Sequence, residues 1–213
     1  MKKTILMLVL VAGLGLLSAC TGDKAPQINE SGKMTPVSSI KISDGTYTVN
    51  TELSKLAWQA AKVKLAHTGL VAIKSGEINI EDGLIISGNF VIDMSTITSD
   101  ENIDSLVKHL KSADFFDVEN YPEARLEIKS ATLDAQSGNY LVSGDLTIRE
   151  ITAPVSFLAQ VNSGDNYLEA NGDLVIDRLT WDIKYRSGKF FDNLGDAMID
   201  DEIKFTVAIR AEK

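Results

Sequence analysis

From Thr46 onward the chain alternates apolar and polar residues with a period of two. Leu84, Ile86, Gly88, Phe90 and Ile92 alternate with Ile85, Ser87, Asn89, Val91 and Asp93. Tyr140, Val142, Gly144, Leu146 and Ile148 alternate with Leu141, Ser143, Asp145 and Thr147. The same rhythm runs through Leu168, Ala170, Gly172, Leu174 and Ile176, and through Ile203, Phe205, Val207 and Ile209. Such alternation predicts antiparallel strands with one face on a core and the other in water. Asp82-Gly83, Ser137-Gly138-Asn139 and Ser163-Gly164-Asp165-Asn166 supply turns at the joints. Around Trp58 the phase slips, because Leu56, Trp58 and Ala60 are followed by Ala61, Val63 and Leu65, and this predicts a β-bulge. One segment has a helical period: Ile103, Leu106, Val107 and Leu110 fall at i, i+3, i+4 and i+7 behind a capping box at Thr98-Ser99-Asp100-Glu101. It predicts a helix of about three turns laid across a sheet or over a barrel end. About eight strands in succession with one short α-helix, and no βαβ alternation, define an all-β fold, an antiparallel β-barrel or a sandwich. The barrel is the better solution, because closure hides the edge strands.

The N-terminus reads differently. Lys2 and Lys3 precede the apolar run Thr4 to Leu17, and small residues lead into the chain's single cysteine at Leu17-Ser18-Ala19-Cys20. This is the layout of a secretory signal and resembles the bacterial lipobox, in which the cysteine is lipidated; an ordinary signal peptide with a chance cysteine is the alternative. Residues 21–44 are polar, lack aromatics and contain two prolines, which is linker composition. A flexible linker of that length spans roughly 25–30 Å. The expected organisation is thus a signal peptide at 1–19, a lipidated Cys20 with a flexible linker at 20–45, and a barrel domain at 46–213.

Charge narrows the function. Losing Lys2 and Lys3 with the signal takes the formal net charge from −9 to −11. An acidic surface argues against nucleic acid, which needs clustered Lys and Arg. It also argues against polybasic contact with anionic lipid, so membrane attachment falls to the acyl chains on Cys20. Catalytic parts are few. His67, at the apparent end of a strand, and His109, in the helix, are far apart and lack a free thiol partner, which makes a poor zinc set. No G-x-S-x-G, H-E-x-x-H or phosphate-binding glycine loop is present. The acidic run Asp192 to Glu202 lacks calcium-loop spacing and reads as a solvated loop.

The interior-phase residues bear on ligand binding. Gly88, Gly144, Ala159, Ala170 and Gly172 fall where core-facing side chains are expected. They either let the sheet curl shut or leave room inside it, and an eight-stranded barrel sits at the size where both occur. Trp58, Phe90, Tyr140, Phe157 and Phe205 share the apolar phase, as core or as tunnel lining. Phe115-Phe116 and Phe190-Phe191 lie in polar loops, as lips of an apolar pocket or as plugs of the barrel ends.

Several ordered segments carry a family resemblance: Tyr47-Thr48-Val49-Asn50, Val63 to Gly69, His109 to Asp117 followed by Tyr121-Pro122, Val142 to Ile148, Thr152 and Pro154-Val155. Over about residues 46–212 the chain resembles the YceI family. Departures fall shortly before His109-Leu110, where the family usually carries Arg-Asp and this chain has Asp104 with Asn102 and Ile103 before it, and at Ile151, where the family carries glycine. The resemblance implies a lipocalin-like antiparallel barrel that encloses a long polyisoprenoid, such as a quinone tail or prenyl lipid, and so favours a cavity over a packed core. The expected function is non-enzymatic binding of such a lipid, as carrier or store, with Trp58, Phe90, Tyr140, Phe157 and Phe205 lining the bore and Phe115, Phe116, Phe190 and Phe191 near its openings. No metal and no cofactor other than the lipid is expected. The other readings are a packed, ligand-free envelope lipoprotein acting through its outer face, and a lipid head-group enzyme using His67 or His109. The expected partners are the apolar lipid and the membrane through Cys20, with a homodimer left open. Thr21 is not the aspartate that commonly retains lipoproteins at the inner membrane, so the expected location is the outer membrane, facing the periplasm.

Overall fold

The computed structural model describes residues 42–134 and 136–213. The signal peptide, Cys20 and nearly all of the expected linker therefore lie outside the described residues. Among the described residues nine strands form one antiparallel sheet: β1 (Gly45–Val49), β2 (Lys55–Lys62), β3 (Leu65–Glu81), β4 (Leu84–Asp93), β5 (Glu123–Leu133), β6 (Tyr140–Ile148), β7 (Ile151–Ser163), β8 (Tyr167–Asp177) and β9 (Ile199–Glu212). The helix α1 spans Asp104–Lys111.

Nine strands make eight positions in the ring, because β1 and β2 share one. β2 pairs the first part of β3, from Lys62↔Leu65 to Leu56↔Val71, and β1 pairs its last part, from Thr48↔Glu77 to Gly45↔Ile80. Both also pair β9 on their other side. The Asn50 side chain makes the step between them by accepting from the backbone N–H of Glu52 and Leu53 at 3.2 Å. With β3 paired to β4 and β8 to β9, the sheet closes and no edge is left to template aggregation. The expected barrel is the observed one.

Curvature comes from irregular steps in the ladder. Register shifts occur between Ile73 and Ser75, between Asn79 and Ile80, between Ile128 and Ser130, and between Ala60 and Lys62. The last is the slip expected near Trp58. However, Val63-Lys64 is a tight turn after it, so the apolar run from Leu56 to Leu65 is two strands of a hairpin and not one bulged strand. His67 accordingly lies near the start of β3 and does not end a strand. The second shift changes the phase of β4: Ile85 points inward, whereas Leu84 and Ile86 are exposed, and Gly88, Phe90 and Ile92 return to the core. The expected inward series thus holds only from Gly88 onward.

The helix is about two turns long, shorter than its periodicity predicts. Asn102 adopts a left-handed φ of 55°, which stops helical backbone from reaching back to Ser99. The would-be capping box serves the barrel instead. Thr98 and Asp100 donate their backbone N–H to the carbonyls of Leu70 and Thr68, extending the sheet beside β3, and Ser99 Oγ donates to Glu101 at 2.6 Å. One end of the barrel carries the turns around Asp82-Gly83, Gly138 and Gly164, with the approach to β1. The opposite end carries the Val63-Lys64 and Arg149-Glu150 turns and the two long connections, 94–122 with α1 and 178–198.

Candidate ligand-binding cavity

Inside the barrel lies a cavity of about 140 Å³, walled by Leu56, Ile73, Ile92, Ile128, Leu146 and Val207 among others, with Asn171 its single polar lining residue. A single water needs roughly 10–15 Å³ measured this way, so the space suits a thread of on the order of ten atoms and offers water almost no partners.

Four aromatics expected in the bore are there: Trp58 of β2, Phe90 of β4, Phe157 of β7 and Phe205 of β9. Trp58 donates its indole N–H to the Thr98 carbonyl at 3.1 Å, which satisfies its one polar atom on the wall and leaves the ring faces for the bore. Phe115 and Phe116 also line it, and both are buried. They lie beyond α1 as a seal of that end and not as exposed lips. Phe115 packs edge-on against His109 at 5.5 Å and Phe116 at 5.8 Å, with the Arg178 guanidinium 5.7 Å from its ring centre.

Three expected site residues are placed elsewhere. Tyr140 is buried at the start of β6 but is not part of the cavity wall, and its burial pushes the phenol pKa above the ordinary value. Phe190 and Phe191 are 52% and 47% exposed and do not line the bore. Their loop folds back on itself, both backbone N–H groups donating to the Ser187 carbonyl, and the Lys184 ammonium sits 5.2 Å over the Phe190 ring. Met94, Ile97 and Leu110, from the connection after β4, also line the cavity as an aliphatic lid that the period-two pattern does not predict.

The small inward residues divide between the two roles. A Cβ on Gly144 would lie 2.4 Å from the Glu127 carbonyl oxygen, and one on Gly172 would lie 2.6 Å from that of Leu158. These glycines allow neighbouring strands to approach and the wall to bend. Ala159 and Ala170 line the bore itself, where larger side chains would occupy it.

The two histidines lie beside different carboxylates. His67 Nδ1 is 3.7 Å from Glu101, and His109 Nδ1 is 4.0 Å from Asp114. The Ser99 hydrogen bond is the main cause that holds the Glu101 carboxyl below its ordinary pKa. Among the described residues no three His, Cys, Asp or Glu side chains are grouped as a metal site, and no helix is long and apolar enough to cross a membrane.

A closed antiparallel barrel around an apolar bore, sealed at one end by a short helix, places the molecule among the hollow lipocalin-like barrels. Within that class the chain belongs to the YceI-like domain family, whose model matches residues 47–211. A UPF0312 protein of Vibrio parahaemolyticus is 28% identical over 119 residues, covering 53% of this chain and 62% of that protein, so the match spans less than two thirds of that relative. A UPF0312 protein of Pseudomonas putida is 38% identical over 71 residues, 33% of this chain and 36% of that one. Among solved structures, BcnA of Burkholderia cenocepacia superposes with a TM-score of 0.62 at 20% identity, covering 76% of this chain and 98% of that one. A polyisoprenoid-binding domain from Saccharophagus degradans gives 0.62 at 14% identity, covering 78% and 97%. At these identities the solved structures establish the fold.

Proposed function

We propose that the barrel binds one long apolar lipid chain, of the polyisoprenoid or quinone-tail type, and acts without catalysis as its carrier or store at the cell envelope. The observation that carries this reading is the bore, an apolar cavity of about 140 Å³ running among side chains of β2 to β9. The structural likeness to a polyisoprenoid-binding domain supports it. The driving force is removal of hydrocarbon from water, about 2.5 kcal/mol for each 100 Å² buried. With so few polar groups on the wall, selectivity rests on chain length and bulk. The Leu17-Ser18-Ala19-Cys20 motif supports a lipid anchor on Cys20, and Thr21 supports an outer-membrane, periplasm-facing site.

Organic extraction of protein purified from its native host, followed by mass spectrometry, is expected to release a stoichiometric apolar lipid. Ala159→Phe places a ring inside the bore and is expected to abolish co-purification while the near-UV circular dichroism stays native. Absence of lipid from the wild-type extract, together with failure to take up geranylgeraniol in reloading trials, would remove this function.

A further inference from the structure

At the helix-covered end a groove of about 430 Å³ runs between the β2–β3 hairpin, α1 and the 184–186 stretch. Ala60, Leu110 and Phe115 line both this groove and the bore, so a single layer of side chains separates the two spaces. The polar side chains on its walls are strongly biased in charge. Lys62, Arg186, His67 and His109 are there with Ser105 and Tyr185, and the lining contains no carboxylate, on a chain whose 30 Asp and Glu outnumber 21 Lys and Arg.

Local pairing brings the two fixed cations together. Lys62 pairs with Ile199 across the β2–β9 ladder, and the Arg186 carbonyl accepts from the Ile199 backbone N–H at 3.0 Å. Neither forms an ion pair among the described residues, and the Arg186 guanidinium lies 5.1 Å from the Tyr185 ring centre. The histidines add unspent hydrogen-bonding capacity. His67 is only 8% exposed, and its Nδ1, like His109 Nε2, is buried with no hydrogen-bond partner among the described residues. A buried polar atom without a partner carries a cost that a ligand oxygen can relieve. The nearest acids are engaged beside the groove and do not line it. Glu101 takes the Ser99 hydroxyl and the Thr68 N–H and lies 3.7 Å from His67 Nδ1, Asp114 lies 4.0 Å from His109 on the Nδ1 side and leaves Nε2 to the groove side, and Asp196 pairs Lys64 at 2.7 Å.

We propose that this groove is a head-group subsite for an anionic amphiphile, a lipid whose carboxylate or phosphate sits between Lys62 and Arg186 with the two imidazoles as further hydrogen-bond partners, while its chain enters the bore past Ala60, Leu110 and Phe115. The inference rests on the lipid-binding reading above and specifies the charge of the ligand that the bore alone leaves open. Hydrogen bonds to an ionised oxygen are roughly twice as strong as neutral ones, so the site favours the acid over the matching alcohol.

The test uses the full chain, delipidated, with tryptophan fluorescence as readout, since Trp58 lines the bore. Two matched pairs are titrated: geranylgeranyl monophosphate against geranylgeraniol, and palmitate against hexadecanol. The wild type is expected to bind at least one acid about tenfold more tightly than its alcohol, the scale of one charge-assisted hydrogen bond. Preference for both acids, or for the phosphate or carboxylate alone, supports the subsite and fixes its class. The double variant Lys62→Gln/Arg186→Gln is expected to lose the preference, with circular dichroism verifying the fold. Equal binding of acid and alcohol by the wild type, or a preference that survives the double substitution, overturns the subsite while leaving the bore's function intact. Failure of all four compounds to bind would instead remove the lipid-binding reading beneath it.

Discussion

Arg178 is fully buried, yet each nitrogen of its guanidinium meets an acceptor. Nε donates to the Asp200 carbonyl at 3.0 Å, Nη1 to that of Ile183 at 2.6 Å, and Nη2 to that of Ile199 at 3.1 Å, with the Asp201 carboxylate at 3.3 Å. These acceptors come from the irregular start of β9, where the ladder to β2 skips from Ile203 to Ile199 past Asp200, and from Ile183 in the connection before it. One planar, five-donor side chain gathers them, a geometry lysine lacks. Burial pulls the Arg178 pKa below its ordinary value, and the neighbouring aspartates, Asp201 foremost, oppose that shift, so the charge is retained. Arg178→Met is expected to cost about 3 kcal/mol or more, through carbonyls and a carboxylate left unpaired in the interior. Arg178→Lys is expected to recover only a minor part. Urea unfolding measures both, and a methionine variant within about 1 kcal/mol of wild type would show the network to be dispensable.

At the level of elements, closure depends on where strands come closest. A Cβ at Gly144 would strike the Glu127 carbonyl, which the β5–β6 ladder fixes in place, whereas one at Gly188 would meet the Met198 sulfur at 2.8 Å, the end of a flexible side chain. Gly144→Ala is therefore expected to destabilise by about 2 kcal/mol and Gly188→Ala by well under 1 kcal/mol, read as a difference in denaturation midpoint. Equal effects would mean that β5 and β6 can move apart freely. The same local-against-distant contrast explains what the chain discloses about itself. Period-two runs that follow Asp82-Gly83 and Gly138 announce β4 and β6, because glycine and Asp at positive φ are turn chemistry readable within four residues. The turn at Arg149-Glu150 carries no such mark: Arg149 takes a φ of 58° because the Ile148↔Ile151 pairing on either side demands it. Val63-Lys64 is hidden for a different reason, since exposed Val63 and Leu65 continue the apolar rhythm across the bend. The two Phe-Phe pairs look alike in sequence and separate in the fold. Phe115 is enclosed by His109, Tyr185 and Arg178 from distant segments, whereas Phe190-Phe191 sits half-exposed on a self-folded loop with the nearby Lys184 over the Phe190 ring. The bore aromatics of the strands were legible through their phase; the lid of Met94, Ile97 and Leu110 was not, because its placement follows from Thr98 and Asp100 joining β3.

The whole molecule couples shape to stability. A packed core of this size would leave no sizeable void, since interiors approach crystal density, and an unfilled cavity costs about 24 cal/mol for each Å³. For the bore of about 140 Å³ that amounts to about 3 kcal/mol, a large share of the stability of an ordinary domain. The chain's single cysteine lies at position 20, outside the barrel, so no disulfide within the chain offsets such a deficit. A chain occupying the bore restores the missing contacts and, by binding only the folded state, adds a further mass-action term. Removing the lipid by organic extraction and refolding is thus expected to lower the melting temperature by about 6–12 °C, at 2–4 °C per kcal/mol for a domain of this length. Reloading with geranylgeraniol is expected to return it in a dose-dependent way. In Ala159→Phe the ring fills part of the same space permanently, so its melting temperature is expected to respond to neither extraction nor reloading. A wild-type barrel whose melting temperature is indifferent to extraction and to added lipid would mean that the walls collapse inward at no cost, and the bore would then be no site for a chain.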